Sequence, residues 1–174
     1  QMVLTLVEPQ SSGIGGGAFL LHAAGSKVEA YDGRETAPRG ATENLFLQAD
    51  GKPMAFHDAV VGGRSVGVPG TVRMLEQAHK EHGKLAWSAL MQPAIQLAEN
   101  GFKVSARLHT LLASEKYLKQ DPAARAYFYD AAGQPWPVGH VLKNPELAAV
   151  LKGIARRGSK ALLKAMWPRP SLPR

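Results

Sequence analysis

Apolar positions along this chain follow two different rhythms. Before residue 71 they come in short runs broken by Gly, Pro and Ser; after it they recur at helical spacing. Met2–Val7 is apolar but for Thr5 and rich in β-formers, which predicts a buried strand. Pro9–Gly17, PQSSGIGGG, is a flexible turn segment. Ala18–His22 and Lys27–Tyr31 flank Ala23-Ala24-Gly25-Ser26 and predict a β-hairpin. Asp32 to Pro38 closes the second strand, with Pro38 opposing helix there. Ala41–Leu47 is read as a short helix, Asp50-Gly51-Lys52-Pro53 as a turn, and Gly62–Gly70 as a second glycine-rich, strand-like stretch.

The helical half begins at Thr71, a capping residue for a helix through Val72, Leu75 and Ala78 that stops at Gly83. Trp87–Asn100 carries a broad apolar stripe (Leu90, Met91, Ala94, Ile95, Leu97, Ala98) and ends at Gly101, with Pro93 predicting a kink or a later start. Ser105 caps a third helix through Leu108, Leu111, Leu112 and Leu118. Asp121-Pro122 opens a short one, Asp130–Val141 is a hairpin or loop, and Asn144-Pro145-Glu146 starts the last clear helix, which ends at Gly158. Strands first and helices second predict an α+β fold rather than alternating βαβ units.

Composition narrows the classes. The chain has 174 residues, 45% hydrophobic and 20% charged, with 18 Gly, 12 Pro and no Cys. That is a turn-rich globular composition of about one domain. Without Cys there are no disulfides, thiol nucleophiles or Cys-ligated metals. No stretch approaches the ~18 apolar residues of a spanning helix. The start lacks a basic segment, and Glu8 and Pro9 interrupt its apolar run, so it is no signal peptide. Gln1 precedes Met2 and the apolar run begins at once, so further sequence is expected upstream. The net charge is +7, with Lys152, Arg156, Arg157, Lys160, Lys164, Arg169 and Arg174 concentrated late. The aromatics, Trp167 apart, lie elsewhere, so this is read as a solvated helix face and a basic tail, not a nucleic-acid surface.

Candidate chemistry is sparse. Gly13-Ile14-Gly15-Gly16-Gly17-Ala18 fits a dinucleotide-binding glycine pattern, with Asp32 and Glu35 near the distance of a ribose-binding acid. Only Ala18–Ala24 separate it from Gly25, too few residues for the crossover helix that such a site requires. Arg34, between Gly33 and Thr36-Ala37-Pro38, sits where a strand ends; its planar fork of donors suits a carboxylate, and it equally suits a plain ion pair with Glu35 or Asp32. The six His are scattered, and His79-Lys80-Glu81-His82 is not a zinc-binding helix pattern. Ser11, Ser12, Ser65, Thr36 and Thr71 are hydroxyl candidates outside any nucleophile motif. No cofactor and no metal is expected.

Four ordered blocks, EPQSSGIGGGAFLLH, YDGRETAP, GGRSVGVPGTV and PAIQLAENGFKVS, resemble the large subunit of γ-glutamyltranspeptidase, also called γ-glutamyltransferase or glutathione hydrolase. The resemblance runs from about Val3 to about Lys164. It implies part of an N-terminal-nucleophile hydrolase, an α-β-β-α sandwich cut from a self-cleaving precursor. It further implies that an N-terminal Thr of the small subunit, absent from this chain, attacks the γ-glutamyl amide of glutathione. Water or an acceptor amine then releases the γ-glutamyl group. Arg34 matches the family arginine that binds the substrate α-carboxylate, and the resemblance favours that role over the ion pair. No catalytic residue is expected in this chain, which alone is expected to be inactive, either as a fragment of the enzyme or as a remnant without a function; a third reading, a basic interaction module, rests only on the net charge. The implied partner is the small subunit, and the implied location is periplasmic or extracellular.

The blocks imply one partial domain, 1–164, and an aberrant tail, 165–174. One choice of codons for the tail, shifted by two bases, reads His-Val-Ala-Glu-Ala-Ile-Val-Ala-Lys, the helical continuation the family would have. A one-base deletion near the Lys164 codon is therefore expected.

Overall fold

The computed structural model describes residues 1–166. In chain order the elements are α1 (Leu4–Val7), β1 (Ala18–Ala24), β2 (Lys27–Gly33), α2 (Phe56–Val60), α3 (Thr71–His82), α4 (Trp87–Asn100), β3 (Phe102–Lys103), α5 (Ala106–Ser114), α6 (Pro122–Phe128), β4 (Val141–Leu142), α7 (Pro145–Arg157) and α8 (Lys160–Met166). The fold is α+β, as the two rhythms predict. The chain divides into two compact units, one of residues 14–78 and one of residues 1–13 with 79 onward.

The 14–78 unit is built on the β1–β2 hairpin, antiparallel from Ala18↔Gly33 to Ala24↔Lys27. Gly25 takes φ +61° at the first position of the two-residue turn and Ser26 follows with negative φ, the pattern that matches strand twist in a tight hairpin. The strands run to Ala24 and Gly33, beyond the apolar runs that predict them. Phe19, Leu21, Ala23, Val28 and Ala30 share one face, and all are exposed. On the opposite face Leu20, His22, Glu29 and Tyr31 are half-buried.

Residues 37–67 leave the hairpin and return to it. Their feet are joined where Thr36 and Val68 exchange backbone hydrogen bonds (3.2 and 2.8 Å). The turn at Asp50–Pro53 forms as predicted. Ala41–Leu47 does not become a helix. Its backbone bonds are single turns closing over three residues, beside Pro38 and Gly40. Gly62–Gly70 is strand-like only at Val68; Gly63–Ser65 is a 3-10 turn instead.

In the other unit the chain start is helical. Leu6 of α1 and Met2 in the turn before it are both buried, and α1 packs against α4. A strand and a one-turn helix bury the same short apolar run equally well, so the periodicity of Met2–Val7 could not separate them.

The core is the α4–α7 pair. Met91, Ala94, Ile95 and Ala98 of α4 and Ala148, Leu151 and Ile154 of α7 are buried, with Leu108 and Leu112 of α5. Trp87 Nε1 donates to the Ile154 carbonyl at 3.0 Å. Glu99 and Lys152 pair across the same two helices. Pro93 neither breaks nor delays α4, whose buried stripe offsets one missing backbone bond.

Three of the four expected caps form, Thr71 being the exception. Ser105, Asp121 and Asn144 accept from the backbone N–H three residues on, at 3.0, 2.7 and 2.8 Å. The third helix stops at Ser114, short of Leu118, because Glu115 Oε1 accepts from Tyr117 and Leu118 N–H and starts a separate turn. Lys152, Arg156, Arg157 and Lys160 are exposed, the solvated face expected of them. α8 runs through Ala165 and Met166; the rest of the expected aberrant tail, 167–174, lies outside the described residues.

Candidate functional site

The glycine run is not a nucleotide loop. Gly17 leads directly into β1, so no helix terminus faces a phosphate there. The run instead lies beside the end of β2, where the chain passes through Gly33, Arg34 and Glu35. A Cβ on Gly17 would sit 2.4 Å from Glu35 Oε2 and 2.8 Å from Arg34 Cα. Only glycine permits that approach, which explains the run without any ligand.

Arg34 is the first residue after β2. Its backbone N–H donates to Asp32 Oδ1 at 2.8 Å, which fixes the exit from the strand. One guanidinium nitrogen, Nη1, donates to Glu35 Oε2 at 2.9 Å. The side chain is 64% exposed, and its other N–H groups have no hydrogen-bond partner among the described residues. The ion pair with Glu35 is thus present, Asp32 serves the backbone rather than the guanidinium, and most of the donor fork is open.

Glu35 carries more structure than the sequence reveals. Its carboxyl is held below the usual carboxylate range, first by its own backbone N–H, then by the Gly17 N–H and the Arg34 guanidinium, against partial burial that pulls the other way. Thr71 is also used unexpectedly. Its hydroxyl, 1% exposed as a residue, donates to the Gly16 carbonyl at 2.9 Å rather than standing outside α3 as a cap. The clue to both was the set of glycines at 16, 17, 33, 67 and 70, which marks close backbone approaches.

The remaining candidates are structural. Ser65 Oγ donates to the Val60 carbonyl at 2.8 Å, and Ser12 Oγ accepts from Gln1 at 2.7 Å. His79 Nε2 meets the Leu85 carbonyl at 2.7 Å and its ring lies edge-on to Trp87. His140 stacks on Trp136 at 4.1 Å, and His109 Nδ1 meets the Trp136 carbonyl at 2.9 Å. A groove of about 520 Å³ in this unit is lined by Lys119, Arg125, Tyr129 and Trp136, none of them a predicted site residue.

The arginine thus stands at the end of an antiparallel hairpin, and a helical half follows it in the chain. The chain superimposes on the crystal structure of Helicobacter pylori γ-glutamyltranspeptidase, an N-terminal-nucleophile hydrolase, with a TM-score of 0.86 and 32% identity over 95% of this chain and 49% of that one. A model of the gamma-glutamyltranspeptidase family matches residues 1–165. The glutathione hydrolase proenzyme of Bacillus subtilis is 36% identical over 169 residues, 96% of this chain and 29% of that protein. Glutathione hydrolase 3 of Arabidopsis thaliana is 39% identical over 160 residues, 90% and 24%. The chain belongs to the γ-glutamyltranspeptidase family, a family of enzymes. It spans under a third of the length of these two curated relatives.

Proposed function

We propose that this chain supplies the carboxylate clamp of a γ-glutamyl hydrolase and transferase, and that Arg34 is the clamp. The substrate class is glutathione or another γ-glutamyl compound. The single observation that supports it is the state of Arg34. Glu35 anchors one side of the guanidinium, and the rest of the fork stays open to a planar anion.

In this reading Arg34 binds the α-carboxylate and so orients the γ-amide toward the attacking group. That group is the hydroxyl of an N-terminal Thr in a small subunit, which this chain does not contain. The Thr amine assists the hydroxyl, an acyl-enzyme forms, and water or an acceptor amine resolves it. The chain alone is inactive on this view, and its partner is the small subunit of the same precursor. Export to the periplasm or the exterior belongs to the same proposal; among the described residues no helix is long and apolar enough to cross a membrane.

The test grafts this chain into the B. subtilis relative in place of the matching stretch and compares Arg34→Lys and Arg34→Ala with the unaltered graft. A raised KM for a γ-glutamyl substrate supports the clamp. An unchanged KM in both variants removes it.

A further inference from the structure

Three glycine-bearing segments close around the Arg34–Glu35 pair. Gly17 and Gly67 approach Glu35 itself: a Cβ on Gly17 would lie 2.4 Å from Oε2, and one on Gly67 would lie 2.7 Å from the Glu35 Cβ. Gly70 meets the Gly33 carbonyl, where a Cβ would come within 2.4 Å. A side chain has no room at Gly17 or Gly67, so a displacement of either is felt at Glu35, whose carboxylate anchors the guanidinium.

One atom ties two of the segments together. The Gly16 carbonyl accepts from Gly70 N–H at 3.2 Å, from Thr71 N–H at 3.2 Å and from the Thr71 hydroxyl at 2.9 Å. The hydroxyl makes the shortest of the three bonds and comes from a buried side chain. The adjoining residue, Gly17, presents its N–H to the Glu35 carboxylate.

We propose that Thr71 is a positioning residue for Arg34: its hydroxyl holds Gly16, Gly16 sets Gly17 against the Glu35 carboxylate, and Glu35 orients the guanidinium. The chain of contacts spans residues 16 to 71 and uses one side-chain hydroxyl that the reaction itself never touches. This inference rests on the reading of Arg34 as the clamp, so its test separates the two.

Thr71→Val keeps the side-chain shape and removes the donor; Thr71→Ser keeps the donor and removes a methyl. In the full chain, labelled with carbon-13, the Glu35 carboxyl is titrated by NMR in the parent and in both variants. In the parent its own backbone N–H, the Gly17 N–H and the Arg34 guanidinium hold this carboxyl below the ordinary carboxylate value. In Thr71→Val the midpoint is expected to move up toward that value, and Thr71→Ser is expected to restore the parent midpoint. A purely structural role would lower stability and leave the Glu35 midpoint in place, and that result overturns the proposal. If Thr71→Val loses the helical circular-dichroism signal, Thr71→Ala removes the same hydroxyl without adding a second methyl and decides in its stead.

L-glutamate added to the same samples probes the clamp. Perturbation of the Arg34 Nε–H signal in the parent and Thr71→Ser, reduced several-fold in Thr71→Val, supports both readings. A Glu35 midpoint that moves as expected in Thr71→Val, together with an unchanged KM of the Arg34 variants in the grafted enzyme, supports the positioning of the pair and refutes the clamp.

Discussion

Replacing Arg34 in the grafted enzyme should weaken substrate binding in a graded way. A charge-assisted hydrogen bond contributes about 1.5–3 kcal/mol. The Arg34 side chain is 64% exposed and already gives one N–H to Glu35, so the lower end applies to each bond it makes with a carboxylate. Two such bonds amount to about 3 kcal/mol, or roughly a hundredfold in affinity. Arg34→Lys keeps the charge and loses the paired geometry, costing one bond, about 1.5 kcal/mol and about tenfold in KM. Arg34→Ala loses both bonds and leaves the Glu35 carboxylate facing the substrate's own. The double variant Arg34→Ala, Glu35→Gln should therefore bind better than Arg34→Ala alone. Steady-state hydrolysis of a γ-glutamyl anilide provides the assay, with kcat expected to change far less than KM because the contact is made equally in ground and transition states. KM values within twofold of the parent in both single variants would refute the reasoning. A double variant worse than Arg34→Ala would refute the electrostatic part of it.

Acid should loosen the fold through two carboxylates, Glu35 and Glu8. Both are held below their ordinary range in the native state: Glu35 chiefly by its own N–H, and Glu8 chiefly by its bond to Arg107. The unfolded chain then binds more protons, so the stability they contribute is present above about pH 4.5 and lost as pH falls through their depressed native values. Urea midpoints recorded from pH 6 to pH 3 should drop, and Arg107→Gln should flatten that drop. In the helical core, Leu151→Ala removes a side chain with 0% exposure and should cost about 2–5 kcal/mol, against about 1 kcal/mol for the cap variant Asn144→Ala. Equal losses by urea unfolding would contradict the assignment of the α4–α7 core. The bare hairpin face, with Phe19 68%, Leu21 73% and Val28 62% exposed, should drive self-association. Sedimentation should show oligomers that Leu21→Lys reduces, whereas a soluble parent monomer with a sharp cooperative melt would count against it.

Local chemistry made much of the fold legible. α4 begins at Trp87 and stops before Gly101 as its apolar stripe predicts, and Ser105, Asp121 and Asn144 each cap the helix they precede. These features depend on residues three or four apart, which a reader of the sequence has side by side. The hairpin was equally plain, since two apolar runs and a glycine turn suffice to specify it. Arg34 was visible as a candidate because donors at a strand end are a local fact. Where a short segment could satisfy two structures, the choice lay beyond it: Leu4–Val7 is helix in a segment that packs on α4 and buries Leu6.

The sequence by itself therefore determined the helices, the hairpin and the presence of an arginine at its end. The tertiary structure decided what surrounds that arginine. Gly16–Gly17, Glu35 and Gly67–Thr71 are three stretches far apart along the chain, and none announces a shared purpose. They meet because glycines allow backbones to close to distances that any side chain would forbid, and a buried hydroxyl then ties the start of α3 to the glycine loop before β1. Contacts of that kind follow from which segments the fold brings together, and no local pattern encodes them.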